Sequence, residues 1–166
     1  METRFNAYQK TLYDFVNNIY VVCPKCSKQA IVLSEEFSKK QIENEVRLSC
    51  PNCGHNKYRT EKLKFGRNSK SKSIIDLIND FHIGENIDPY FKLPLWLQYE
   101  LRHGILWAYN YEHLEFIKNH VKADLRYRNT AGRDNFSIGA RLPKWISHKN
   151  NRKEILAAIE KTKRLS

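Results

Sequence analysis

Cys23-Pro24-Lys25-Cys26 and Cys50-Pro51-Asn52-Cys53 hold all four cysteines of this 166-residue chain, in two matched pairs. Two residues separate the thiols of each pair, a spacing that lets one tight turn bring both sulfurs to the same side of an ion. Each pair therefore supplies half of a four-thiolate shell, and the sequence predicts a closed tetrahedral metal site built from Cys23, Cys26, Cys50 and Cys53. The 23 residues from Ser27 to Ser49 suffice for a hairpin out and back between the halves. Two disulfides would use the same residues but belong to oxidising compartments. A redox-active CxxC opens a helix after a strand, whereas a second equivalent pair and a proline after each leading cysteine point to turns. A thiolate-bound iron centre takes the same ligands and stands beside zinc at this point.

The segments CPKCSKQAIVLS (residues 23–34) and VRLSCPNCGHNKYR (residues 46–59) resemble the zinc ribbon family, over about residues 19 to 65. Gly54, directly after Cys53, supplies a positive φ that turns backbone amides toward the sulfurs. Ser27 stands at the corresponding place after Cys26. The resemblance implies a small fold of antiparallel strands around a structural zinc. It leaves activity to other features, since zinc ribbons serve DNA, RNA, protein docking and structure alike.

Composition sets the class of partner. With 41% hydrophobic and 12% aromatic residues the chain can fill a core, as one domain or a small domain with an embedded metal module. No apolar run approaches bilayer length and Met1–Lys10 lacks a signal-like stretch, so a soluble, cytoplasmic protein with no membrane association is expected. The net charge is +11, from 29 Lys and Arg against 18 Asp and Glu, which favours a polyanionic partner. That charge is unevenly spread: +4 over residues 21–66 and +6 over 129–166, with little elsewhere.

Periodicity places the elements. Phe5, Tyr8, Leu12, Phe15, Val16 and Ile19 recur at three- and four-residue steps, which predicts an amphipathic N-terminal helix over 1–18 packing on the body. Tyr20–Val22 and Gln29–Leu33 read as strands flanking the first cysteine pair. Ile42, Asn44, Val46 and Leu48 alternate strictly with Glu43, Glu45 and Arg47, the pattern of a half-buried strand. Lys57–Phe65 reads as the last strand, with a bulge because Tyr58 and Thr60 are out of phase with Leu63 and Phe65. Residues 19–66 thus form the zinc ribbon, bounded by the basic connector Gly66–Lys72. Residues 67–166 are expected to form a helical body with a basic C-terminal helix. Within it Ile74, Ile75, Leu77, Ile78 and Phe81 predict a helix up to Gly84. Trp96, Leu97, Leu101, Leu106 and Trp107 predict the core. A long helix is expected from Asn110 to Arg128, on Leu114, Ile117, Val121 and Leu125. A last helix is expected to open on a capping box at Asn151 and Glu154 and to bury Ile155, Leu156 and Ile159. The architecture is α+β: a four-cysteine zinc ribbon of short antiparallel strands attached to a mainly helical body.

Catalytic signatures are weak. Asp76 and Asp80 fall one helical turn apart, and with Glu100 or Glu112 they are the carboxylates a metal-dependent nuclease would use. His113 and His120 lie about 10 Å apart along a helix axis, too far for one ion without further ligands. HExxH is absent, and Asn129–Asp134 lacks the glycines and the Gly-Lys-Ser/Thr ending of a phosphate-binding loop. The expectation is a zinc-dependent nucleic-acid-binding protein, DNA before RNA, with a structural ion. Its phosphate contacts would come from Lys57, Arg59, Lys62 and Lys64 of the ribbon and Lys144, Lys149, Arg152 and Lys153 of the tail. The alternatives are a protein-protein adaptor in a replication, transcription or defence assembly, for which the abundant aromatics speak, and the nuclease.

Overall fold

The alternation at residues 43–48 becomes a central strand of an antiparallel sheet in the computed structural model, which describes residues 4–34, 43–62, 83–123, 125–126 and 137–164. The sheet contains β2 (Asn18–Val22), β3 (Gln29–Ser34), β4 (Glu43–Ser49) and β5 (Asn56–Lys62), hydrogen-bonded in that order. Register follows from which side chains need burial. Ile19 pairs with Val32, Val21 with Ala30 and Val32 with Leu48, so that Ile19, Val21, Ala30, Val32, Val46 and Leu48 share one buried face. A slip of one residue would turn that entire set to the opposite face. Each buried Val, Ile or Leu contributes about 1.5–3 kcal/mol over its exposed state. The expected strands at 20–22 and 29–33 are therefore present, as is the one expected at 42–48 from Glu43 onward; Ile42 lies outside the described residues. The ladder from Glu43–Lys62 to Ser49–Asn56 runs without a bulge through Lys62; the expected irregularity at Leu63 and Phe65 falls outside the described residues.

A turn at residues 88–93 covers the apolar face. The Asp88 carboxylate accepts from the amides of Tyr90 (2.9 Å), Phe91 (2.8 Å) and Leu93 (2.7 Å), which fixes the turn. Tyr90 is fully buried; its hydroxyl donates to Ser34 Oγ, and its carbonyl accepts from the Arg59 guanidinium. Beyond the turn, Val22 N donates to Pro94 O and Trp96 N to Tyr20 O, so the chain runs beside β2.

The chain divides into two compact units, residues 16–96 around this sheet and residues 1–15 with 97–166. The second unit holds most of the described helices and also contains strands. A hairpin of β6 (Leu97–Leu101) and β7 (Gly104–Ala108) precedes α1 (Tyr111–Lys122). Asn110 caps α1: its Oδ1 accepts from His113 N at 2.8 Å, and its Nδ2 donates to Phe15 O at 3.0 Å. Leu114, Ile117 and Val121 are buried as expected, but α1 stops at Lys122. Ala123 is extended (φ −62°, ψ 133°), and β8 (Leu125–Arg126) instead pairs in parallel with β1 (Arg4–Phe5). Short helices α2 (Ile138–Arg141) and α3 (Lys144–Ser147) lead to α4 (Arg152–Arg164), which buries Ile155, Ala158, Ile159 and Thr162. Leu156 of the expected stripe is half-buried. The Asn151 side chain donates to Trp145 O at 3.0 Å. Of the expected core, Leu97 and Leu106 are fully buried, whereas Trp96, Leu101 and Trp107 are half-buried.

The N-terminal helix expected over 1–18 is replaced by β1, a 3-10 turn at Leu12–Phe15 and the start of β2. Local side-chain bonds compete for the backbone there. Asn6 Oδ1 accepts from Tyr8 N (3.0 Å), and Asp14 Oδ2 accepts from Thr11 N (2.6 Å) and Thr11 Oγ1 (2.9 Å), removing donors that a helix needs. The helix expected from Ser73 to Gly84 lies outside the described residues. No described helix is long and apolar enough to cross a membrane.

Candidate metal centre

Both cysteine pairs sit in hairpin turns at one end of the sheet, Cys23–Cys26 between β2 and β3, Cys50–Cys53 between β4 and β5. The two turns repeat one backbone plan. Cys23 N donates to Lys28 O (2.8 Å) and Ser27 N to Cys23 O (3.0 Å); Cys50 N donates to His55 O (2.8 Å) and Gly54 N to Cys50 O (3.0 Å). The residue after each second cysteine is left-handed, Ser27 at φ 56° and Gly54 at φ 71°. Serine carries in the first turn the conformation that glycine adopts without strain in the second.

The antiparallel register brings the two turns together. Cys23 Sγ lies 3.7 Å from Cys53 Sγ, Cys26 Sγ lies 3.6 Å from Cys50 Sγ, and all four sulfurs fall within 4.8 Å of one another. A metal–sulfur distance of about 2.3 Å gives a tetrahedron with an edge of about 3.8 Å, so these separations suit an ion at the centre. They are far too long for a disulfide, whose sulfurs sit about 2.05 Å apart, and all four thiols are free. Neither pair opens a helix, which removes the geometry of a redox CxxC. Cys23 and Cys50 are buried, Cys26 is half-buried and Cys53 faces solvent.

Backbone amides surround the sulfurs. Lys25 N donates to Cys23 Sγ at 3.4 Å. The Lys28 amide, acting against desolvation and aided by Cys53, Asn52 and Cys50, draws the Cys26 thiol down to about 6. At Cys53 the His55 amide pulls the same way, but desolvation and the thiols of Cys26, Cys50 and Cys23 together push the group up to about 12. Four sulfurs this close hold back one another's ionisation, and a dication offsets the repulsion that four thiolates would otherwise feel. The residues thus fit a metal ion in both distance and chemistry. Among the described residues this is the single group of three or more His, Cys, Asp or Glu able to hold an ion.

The other sequence candidates belong to both units. Lys57 and Arg59 pair with Leu48 and Val46 of β4, on the same side of the sheet as those buried residues, and both are themselves exposed. Lys57 Nζ sits 5.6 Å from the Phe91 ring centroid, and Arg59 is bonded to Tyr90 O. Lys62 ends β5 opposite Glu43, and Lys64 lies outside the described residues. Lys144 and Lys149 are exposed around α3, Lys153 is exposed on α4, and Arg152 Nη2 donates to Ala123 O at 3.0 Å. For the nuclease, Asp76 and Asp80 are outside the described residues, while Glu100 is exposed on β6 and Glu112 is ion-paired with Lys10. His113 and His120 are buried separately. His113 Nδ1 accepts from Tyr109 N at 3.3 Å and its ring stacks on Phe15 at 4.8 Å, whereas His120 Nε2 meets Ser147 Oγ at 3.0 Å.

The sequence reading missed the matching turn at Ser27 and the amides of Lys25, Lys28 and His55. The equal offsets of Ser27 and Gly54 from their cysteines were the available signal. Comparison of the chain with protein-family models, with curated proteins and with solved structures finds no match in any of the three. The four-cysteine cluster itself is therefore the firmest guide to function.

Proposed function

We propose that this chain is a zinc-ribbon protein that binds nucleic acid, DNA in preference to RNA, with zinc in a structural role. Cys23, Cys26, Cys50 and Cys53 would hold the ion. Four thiolates complete a tetrahedral shell, which leaves no position for substrate or an activated water. The solvent exposure of Cys53 favours zinc over iron, because zinc has no redox chemistry to shield. When bound, the ion supplies a clasp between two hairpin turns whose strands alone are short. Four thiolates need reducing surroundings, so the reading includes a cytoplasmic location.

The observation that carries the nucleic-acid half is the net charge of +11, together with exposed Lys57, Lys144, Lys149 and Lys153. Lys62 and Lys64 join them on the strength of sequence. Arg59 and Arg152 hold backbone carbonyls and rank behind the lysines as phosphate ligands. The test is fluorescence anisotropy of the metal-loaded chain with labelled DNA and RNA across a salt series. Each phosphate neutralised contributes a slope of about −0.9 in log K against log salt on duplex DNA, so engagement of the four exposed lysines predicts about −3 to −4. Undetectable binding to both polymers at low salt overturns the reading, and tighter binding to RNA overturns the DNA preference.

A further inference from the structure

The sheet has a second face, and it carries an aromatic ring where a solvated strand would ordinarily place polar side chains. Arg47 pairs across the sheet with Leu33 on one side and with Tyr58 on the other, so Leu33, Arg47 and Tyr58 form one row over three adjacent strands. Side chains directly opposite one another share a face, and this face is opposite to Val46 and Leu48. Tyr58 is 69% exposed and Leu33 is 42% exposed, the two most exposed bulky apolar side chains among the described residues of 16–96. The guanidinium of Arg47 lies 5.5 Å from the Tyr58 ring centroid, and its Nη2 donates to Asn56 Oδ1 at 3.2 Å. Both groups are thereby oriented on the surface rather than left to sweep through solvent.

Strands about 4.8 Å apart give the row a span of roughly 10 Å, enough for one or two nucleobases. A groove at the same place has Leu33, Glu45, Arg47, Tyr58 and Arg59 among its walls. Arg47 and Glu45 belong to the open face there, whereas Arg59 belongs to the other face and holds the Tyr90 carbonyl. A phenol ring, a guanidinium plane and an isobutyl group on an open sheet match a base with its neighbouring phosphate. Duplex DNA keeps its bases stacked on one another and offers this surface only phosphates, whereas a single strand can lay its bases flat on the ring. An acidic peptide would use the arginine and leave the ring idle.

We propose that the open face of the sheet, at the row Leu33–Arg47–Tyr58, is a stacking platform for the bases of single-stranded nucleic acid, with Arg47 placed for the adjoining phosphate. This rests on the nucleic-acid reading above and deepens it by naming strand type and residues. Tyr58 supplies the π-face, and Arg47 both stacks and carries charge.

The test measures binding of the metal-loaded full-length chain to an oligothymidylate of about a dozen nucleotides, to an abasic strand of the same length and to a duplex. Tyr58→Ala is expected to weaken oligothymidylate binding about tenfold to a hundredfold while leaving the abasic strand and the salt slope unchanged. Tyr58→Phe keeps the ring and should stay within about twofold. Arg47→Ala should lower affinity and reduce the single-strand salt slope by about 0.7. Metal content and thermal midpoint confirm that each variant is folded; the exposure of Tyr58 makes its truncation harmless to the core. Equal affinity of wild type and Tyr58→Ala for oligothymidylate overturns the platform, as does an abasic strand that binds as tightly as the base-bearing one. If the wild type binds duplex DNA but Tyr58→Ala loses nothing on the single strand, only the platform falls. If the wild type binds none of the three at low salt, the parent reading falls with it.

Discussion

Gly54→Ala isolates the contribution of one backbone conformation to the metal centre. Gly54 sits at φ 71° after Cys53, and a methyl group added there meets no atom within 4 Å. No steric term enters, and the whole effect is the cost of a left-handed conformation for a residue with a Cβ, about 1–2 kcal/mol. Metal binding and formation of the turn are linked, so this cost appears in the affinity, as roughly a fivefold to thirtyfold weaker hold on the ion. Ser27, at φ 56°, already bears the same strain in the first turn. Ser27→Gly should therefore tighten the site, by less than about 1 kcal/mol because glycine also gains freedom in the unfolded chain. Competition of the metal-loaded chain against a chromophoric chelator at neutral pH measures both. A Gly54→Ala variant within twofold of wild type, or a Ser27→Gly variant that binds metal more weakly, refutes the equivalence of the two turns.

Two further predictions concern a buried histidine and a turn fixed by one carboxylate. His113 is buried with Nδ1 facing the Tyr109 amide, so burial lowers its pKa from 6.5 to about 3. The unfolded chain then binds the extra proton, and the stability present above pH 6.5 is lost as pH falls toward 3, at up to 1.36 kcal/mol per unit, or about 3 kcal/mol by pH 4.5. Imidazole NMR checks this: signals of His113 that titrate near 6.5 in the folded chain would refute it. Asp88→Asn keeps one carbonyl oxygen for the Tyr90 and Phe91 amides but turns an NH2 toward the Leu93 amide. A loss of about 1–3 kcal/mol in denaturant-measured stability is expected, and a change under about 0.5 kcal/mol would show that the turn does not depend on this carboxylate.

The cysteine site and the central strands were legible because their signals are local. CxxC spacing fixes the ligand set, and burial of Val46 and Leu48 on either side of exposed Arg47 is written as strict alternation. The N-terminal helix was misread because its spacing was coincidental. Phe15 is buried from a 3-10 turn in one unit, while Ile19 is buried from a strand paired with Val32 in the other. Hydrogen bonds that Asn6 and Asp14 accept from Tyr8 and Thr11 decide between these outcomes, and a hydrophobic pattern does not record them. The early end of α1 depends on Leu125–Arg126 meeting Arg4–Phe5 from the opposite end of the sequence, a long-range pairing invisible to any local window. The β6–β7 hairpin was missed for another reason. Leu97, Tyr99 and Leu101 alternate with Gln98 and Glu100, a strand signal the sequence reading passed over, whereas Ile105–Ala108 is a continuous apolar run in which alternation is blurred. Arg59 looked like a free cation because nothing near it in sequence announces the Tyr90 carbonyl it holds.

The central claim is a closed four-thiolate zinc centre, and metal-edge X-ray absorption on the purified chain, combined with elemental analysis, tests it most directly. The account predicts one zinc per chain surrounded by four sulfurs at about 2.3 Å. Iron in that place, an oxygen or nitrogen in the first shell, or a chain that holds no stoichiometric metal under reducing conditions would contradict it.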